Sequence, residues 1–166
     1  MNAREHTDSR TPGTSPPRNL QSRTWNALLD LHGALFSRLN GTLVRDFGIS
    51  LAKYDVLAQL DGARGGMTQG ELSRRLKVTG GNVSGLVRRM AAEKLIERAA
   101  APDDRRAVIV RATAQGRETF AAARAHHDAL LQDWLGDSNE GMLAQLCAQL
   151  TALRDRVDAA ERASPK

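Results

Sequence analysis

The chain is short of cysteine, of aromatic residues and of long apolar runs, and each shortage closes off a class of protein. A lone cysteine, Cys147, cannot form an intramolecular disulfide, so oxidation plays no part in holding one chain together. Only two Trp, one Tyr and three Phe occur in 166 residues. With Leu, Val and Ala supplying the apolar content, helix packing is favoured over a sandwich or barrel. No apolar run approaches the roughly 20 residues of a membrane span, and the N-terminus is polar rather than signal-like, so a soluble cytoplasmic protein is expected. The segment GARGG lacks the Gly-Lys-Ser/Thr ending of a phosphate loop. No Ser, His and Asp constellation stands out, so neither an enzyme nor a cofactor is expected. His126 and His127 are adjacent on a predicted helix and point about 100° apart, which argues against a metal site within one chain.

What the chain has is length for a core and an uneven charge distribution. A domain of this size can bury roughly 70% of its unfolded surface. The formal net charge is +5. Between Thr68 and Arg111 ten basic residues face five acidic ones, so that block carries the whole excess and the other segments sum to zero. Concentrated positive charge of this kind marks a polyanion-binding surface, although a solvated face can carry the same run.

Residues 1 to 22 hold three prolines and a single leucine among Ser, Thr, Arg and Asn, the composition of a disordered arm. From Trp25 to Phe47 apolar residues recur at spacings of three and four, which predicts a helix of about six turns over 23 to 48. Ser50 is placed to cap a second helix carrying Tyr54, Leu57 and Leu60, which stops in the turn DGARGG.

In TQGELSRRL, Thr68 and Glu71 have the spacing of a capping box. Thr79 begins a further helix whose Val83, Leu86, Val87 and Met90 form one stripe. Two short helices across the tight KVT make a helix-turn-helix. The second then presents Gly81, Asn82, Ser84, Gly85, Arg88 and Arg89 on its other face, which is small, polar and cationic. Gly80 and Gly81 each cost about 1 kcal/mol relative to Ala inside a helix. Small residues in a first turn let a helix N-terminus approach phosphates or base edges, where free amides favour anions; an ordinary frayed helix end is the plainer explanation.

After Leu95, IERAA and AVIVRAT read as two strands joined by APDDRR, a hairpin that forms a wing beside the helix-turn-helix. An arginine at its tip has the length to enter a minor groove. Asp104 would order the loop by pairing with an arginine.

The sequence resembles the MarR family of winged helix-turn-helix repressors. The likeness rests on YDVLAQL, TQGELSRRL, TGGNVSGLVRRMAAEKLIER and DDRRAVIVRATAQGRE, and with flanking helices covers about residues 23 to 161. The wing signature falls on Asp104, Arg106, Thr113 and Gly116. Two departures are Ala112, where a leucine is usual, and Lys94-Leu95, a turn without glycine. The resemblance implies a mostly α protein with long N- and C-terminal dimerisation helices, a two-stranded β-wing and a DNA-binding domain over 49 to 112. It implies a homodimer setting two recognition helices roughly 34 to 36 Å apart on a pseudo-palindrome of double-stranded DNA.

The C-terminal helices, expected over 113 to 161 with a tail at 162 to 166, support a dimer independently. The last, capped by Asp137 with Glu140 three residues on, carries a stripe from Met142 to Val157 that needs a partner, or else closes its own core. Asn82, Ser84 and Arg88 are candidates for base contact, and Thr68, Gln69, Thr79, Arg89 and Arg105 for phosphates. Arg106 is the minor-groove candidate.

In the family a pocket between dimer helices and winged domain takes aromatic carboxylates or phenols. Here that region offers Trp25, His32, Phe36, Arg38 and Tyr54, a set suited to a small planar anion, though aromatic residues on an apolar stripe also serve as core. A ligand-responsive repressor is therefore expected. A non-specific architectural protein, or a redox-responsive regulator acting through Cys147, is the alternative.

Overall fold

The computed structural model describes residues 19–63, 65–76, 80–101, 107–136 and 139–163. The chain divides into two units, Met1–Arg38 and Leu39–Lys166. Among the described residues there are six helices and three strands. They are α1 (Leu20–Phe47), α2 (Leu51–Asp61), β1 (Met67–Thr68), α3 (Gln69–Leu76), α4 (Gly80–Ala92), β2 (Ile96–Ala100), β3 (Val108–Ala112), α5 (Ala114–Leu135) and α6 (Glu140–Ala163). The fold is the mostly α winged helix-turn-helix expected from the sequence. None of the described helices is long and apolar enough to cross a membrane.

Side-chain caps set most of the boundaries. α1 begins at Leu20, inside the segment read as a disordered arm, because the Asn19 side chain accepts the Ser22 amide at 2.9 Å. It ends at Gly48, whose φ of 67° is left-handed and lets the Ile49 amide turn back to the Leu43 carbonyl. Ser50 caps α2 as predicted, accepting from the Lys53 amide. Asp137, expected to cap the last helix, lies outside the described residues. Asn139 fills that role, its side chain accepting from the amides of Gly141 and Met142.

The core lies in the second unit. Leu43, Val56, Leu57, Leu72, Val83, Val87, Met90 and Val110 are almost fully removed from solvent and pack with Ile96, Phe120 and Ala123. β2 and β3 pair antiparallel from Ile96 opposite Ala112 to Ala100 opposite Val108. The two-stranded wing has an addition: β1 joins the other edge of β3, Met67 opposite Val110, giving the order β1-β3-β2. Thr68 therefore belongs to the sheet as well as to the cap of α3.

The Thr-x-x-Gly signature joins the wing to α5. The Thr113 hydroxyl donates to the Lys94 carbonyl at 2.6 Å and accepts the Gly116 amide at 3.0 Å, while the Thr113 amide donates to the Leu95 carbonyl. Gly116 is buried directly against that same Leu95 carbonyl, and a β-carbon there would overlap it. The glycine is thus required by a close approach between backbones.

α6 buries none of its residues, and Met142, Leu146, Leu150, Leu153 and Val157 are all exposed. It does not close a core within its own chain.

Candidate nucleic-acid interface

The candidate interface lies on α3 and α4, and the capping box fixes the first. The Glu71 carboxylate accepts both the amide and the hydroxyl of Thr68 at 2.8 Å, and the Glu71 amide donates to the Thr68 hydroxyl at 3.2 Å. Those bonds, the Thr68 amide foremost, hold the Glu71 carboxyl below the usual carboxylate range. At the head of α3 the Gln69 side-chain amide donates to the Ser84 hydroxyl at 3.4 Å, linking the two helices on their outer side.

α4 has two distinct faces. Val83, Val87 and Met90 have no exposure, whereas Leu86, expected in the same stripe, is only half-buried at its margin. Gly81, Asn82, Ser84, Arg88 and Arg89 are exposed, in the arrangement that the apolar spacing predicts. Neither Gly80 nor Gly81 has a positive φ, and among the described residues nothing beyond the helix's own backbone and chain neighbours lies within 4 Å of where a β-carbon would stand on either. Among the described residues, no packing requirement accounts for these two glycines.

Several features that anchor α4 were not legible from the sequence. Lys53 on α2 reaches Glu93, just past the helix end, with its ammonium 2.7 and 2.6 Å from the two carboxylate oxygens. Lys94 adopts φ 59°, the left-handed conformation that a glycine supplies at little cost in such a turn. The missing glycine noted in the sequence is therefore a missing residue type in a retained geometry. The Leu95 amide then donates to the Met90 carbonyl and closes the turn into β2.

On the other side, Gly66 at φ 80° brings the loop after α2 against β3, and the Arg111 Nε donates to the Gly65 carbonyl at 2.8 Å. Thr79, Asp104, Arg105 and Arg106 lie outside the described residues. The two strands that carry the tip between them are closed by the Ala101 amide donating to the Ala107 carbonyl.

The residues read as a ligand set fall in both units. In the first, Trp25, Phe36, His32 and Arg38 are exposed, and the His32 and Phe36 rings stack with centroids 5.8 Å apart. Trp25 and Phe36 are not core residues of the single chain. In the second, Tyr54 is buried between Phe120 and His127, ring centroids 5.3 and 4.9 Å away, and burial pushes its hydroxyl pKa up. His126 packs instead on Phe47, so the adjacent histidines serve different contacts. Cys147 is exposed on α6.

The fold and the described interface can be set beside known proteins. A MarR family regulator from Silicibacter pomeroyi is 33% identical, its structure superposing with a TM-score of 0.72 over 87% of this chain and 99% of that one. The chain belongs to the MarR family. The sequence model of the MarR family matches residues 47–107, from the end of α1 to the base of β3. MepR from S. aureus, solved as a DNA complex, is 23% identical with a TM-score of 0.73, covering 80% of this chain and 97% of its own. CouR from Rhodococcus jostii RHA1, solved with p-coumaroyl-CoA, is 21% identical with a TM-score of 0.71, covering 82% and 95%. No match was found among the curated proteins. As a MarR family member, the chain is a transcriptional regulator of the DNA-binding winged-helix type.

Proposed function

We propose that this MarR protein is a homodimeric repressor that binds a pseudo-palindromic operator and is released by a small aromatic carboxylate or phenol. The two-faced α4 carries the DNA part of the reading. Its buried stripe fixes the helix on the core, and the opposite face offers two unhindered glycines, Asn82, Ser84 and two exposed arginines. Asn82, Ser84 and Arg88 take the base-edge role, with adenine suited to Asn and guanine to Arg. Thr68, Gln69, Thr79, Arg89 and Arg105 contact phosphates, and Arg106, ordered by Asp104, takes the minor groove.

The unburied α6 supports the dimer. Its apolar stripe runs from Met142 to Val157 along a 24-residue helix that buries none of its residues, and a second copy offers the same stripe in an isologous contact. The effector class rests on the exposed aromatic and cationic side chains Trp25, His32, Phe36 and Arg38 of α1, and on the aromatic thioester held by the CouR relative. Tyr54, assigned to the same set, is buried among rings in the second unit.

Fluorescence anisotropy with DNA upstream of the protein's own gene, against a shuffled duplex and with a panel of aromatic acids, tests the proposal. Specific binding released by one acid is expected, with log affinity falling by about 0.9 per neutralised phosphate in log salt. Equal binding to both duplexes would instead make the protein architectural. Specific binding insensitive to every acid would remove the effector and leave the operator reading.

A further inference from the structure

A cavity of about 330 Å³ lies at the foot of the wing, between the end of α2, the paired β2 and β3, and the start of α5. Its volume is at the lower end of the range for small-molecule sites. Four charged side chains line it, Asp61, Glu97, Arg111 and Arg117, and their charges cancel. Leu60, Ala63 and Ala112 supply apolar wall.

These charges do not satisfy one another. Glu97 and Arg111 are direct partners across the β2–β3 ladder, a position where opposite charges ordinarily pair. Yet Arg111 turns its Nε to the Gly65 carbonyl, and its stem packs where a side chain on Gly66 would otherwise sit. Arg117 likewise donates through Nη1 to the Ala112 carbonyl at 2.6 Å. Among the described residues one N–H of each guanidinium is committed in this way, out of the five it carries, and the planes are held in place. Among the described residues Asp61 pairs with Arg124 alone, loosely at 3.6 Å. The Glu97 carboxylate makes no hydrogen bond or ion pair among the described residues. The cavity therefore joins anchored cationic donors to carboxylates with acceptor capacity left over, around a small apolar wall.

We infer that this cavity binds a free α-amino acid with a short apolar side chain. Its carboxylate meets the remaining N–H groups of Arg111 and Arg117, its ammonium meets Glu97 and Asp61, and its side chain rests on Leu60, Ala63 and Ala112. A lone anion or a lone cation would leave one pair of charges facing an unmatched ligand group. A zwitterion answers both, and Arg–carboxylate contacts favour a planar ligand end.

The site shares none of the residues assigned to the aromatic effector, and its occupancy is measurable without DNA. Calorimetric titration of the full chain with alanine is the test, with propionate and alaninamide as the anionic and cationic halves of that ligand. Saturable binding of alanine into the millimolar range is expected, with each half at least about tenfold weaker. Arg117→Gln and Glu97→Gln, both at exposed positions, should each weaken alanine binding about tenfold or more while leaving the thermal midpoint in place. Absence of saturable heat with alanine overturns the site. Equal binding of either half-ligand overturns the zwitterion, and unchanged affinity in both variants overturns the location.

Discussion

Gly81→Ala separates what α4 needs for folding from what it needs for its partner. The substitution adds one methyl group at the second residue of the helix, where no atom of the other described residues outside the helix's own backbone and its chain neighbours lies within 4 Å and φ is not left-handed. In the free protein nothing resists it. Alanine is favoured over glycine by about 0.5–1 kcal/mol in a helix interior and by less in a first turn. For a chain of this size each 1 kcal/mol is worth about 2–4 °C, so the thermal midpoint should rise by roughly 1–3 °C at fixed protein concentration. On the proposed operator the same methyl stands between the helix and the DNA. Moving the helix out far enough to relieve it weakens the neighbouring contacts, and loss of about 1.4 kcal/mol lowers affinity tenfold. Thermal unfolding and operator anisotropy on one preparation read both effects. A raised midpoint with unchanged affinity would reduce the glycine to a frayed helix end and refute the close approach. A lowered midpoint would contradict the open surroundings of Gly81.

Other substitutions probe positions where the backbone itself sets the requirement. Gly116→Ala places a methyl group on the Leu95 carbonyl, which also accepts the Thr113 amide, so overpacking should outweigh the helix-propensity gain and leave a net loss of roughly 2 kcal/mol. An unchanged urea midpoint would show that the α5 start can shift freely. Lys94→Gly should stabilise by about 0.5–1 kcal/mol by relieving a left-handed residue at φ 59°, whereas Lys94→Ala should not; equal midpoints for the two would remove backbone strain as the cause. Tyr54 is the only tyrosine, so the alkaline absorbance change of phenolate formation reports it alone. Burial raises its folded pKa, so its contribution to stability is complete below the ordinary tyrosine value of about 10 and is lost as pH rises through the folded value. Tyr54→Phe should flatten that alkaline loss, and an ordinary titration midpoint in the folded protein would contradict the burial.

The parts of this molecule that a local sequence pattern encodes were readable, and the parts that depend on distant contacts were not. The Ser50 cap, the Thr68–Glu71 box and the faces of α4 follow from residues three or four apart, and the structure has them. Asn19 was hidden by the prolines and serines before it, since composition averages over a window and a cap acts at one residue. Asn139 was masked by the spacing of Asp137 and Glu140, which imitates a capping box. β1 has two residues, too few for alternation to register, and its pairing with β3 joins segments more than forty positions apart. The same separation conceals the Lys53–Glu93 pair and the Arg111 bond to Gly65. The apolar stripe of α6 left two readings open in the sequence, a partner or a core of its own, and the absence of any buried residue on the helix removes the second.

The anchoring of α4 also limits how its DNA binding can be controlled. Withdrawing the helix alone would expose Val83, Val87 and Met90, each fully buried, and fully burying such a side chain is worth about 1.5–3 kcal/mol. It would also break the turn at Lys94 and the pair between Lys53 and Glu93, which hold its C-terminal end from two directions. A ligand shifting a two-state equilibrium from 1:99 to 99:1 has about 5.5 kcal/mol of differential affinity to supply. Unpacking α4 would use up most or all of it on three side chains, at about 4.5–9 kcal/mol together. Displacing an intact winged domain against its proposed dimer partner leaves that core closed and changes only the separation of two rigid readers. The proposed effector would therefore act most cheaply through a change of spacing in the proposed dimer, with α4 carried along unaltered.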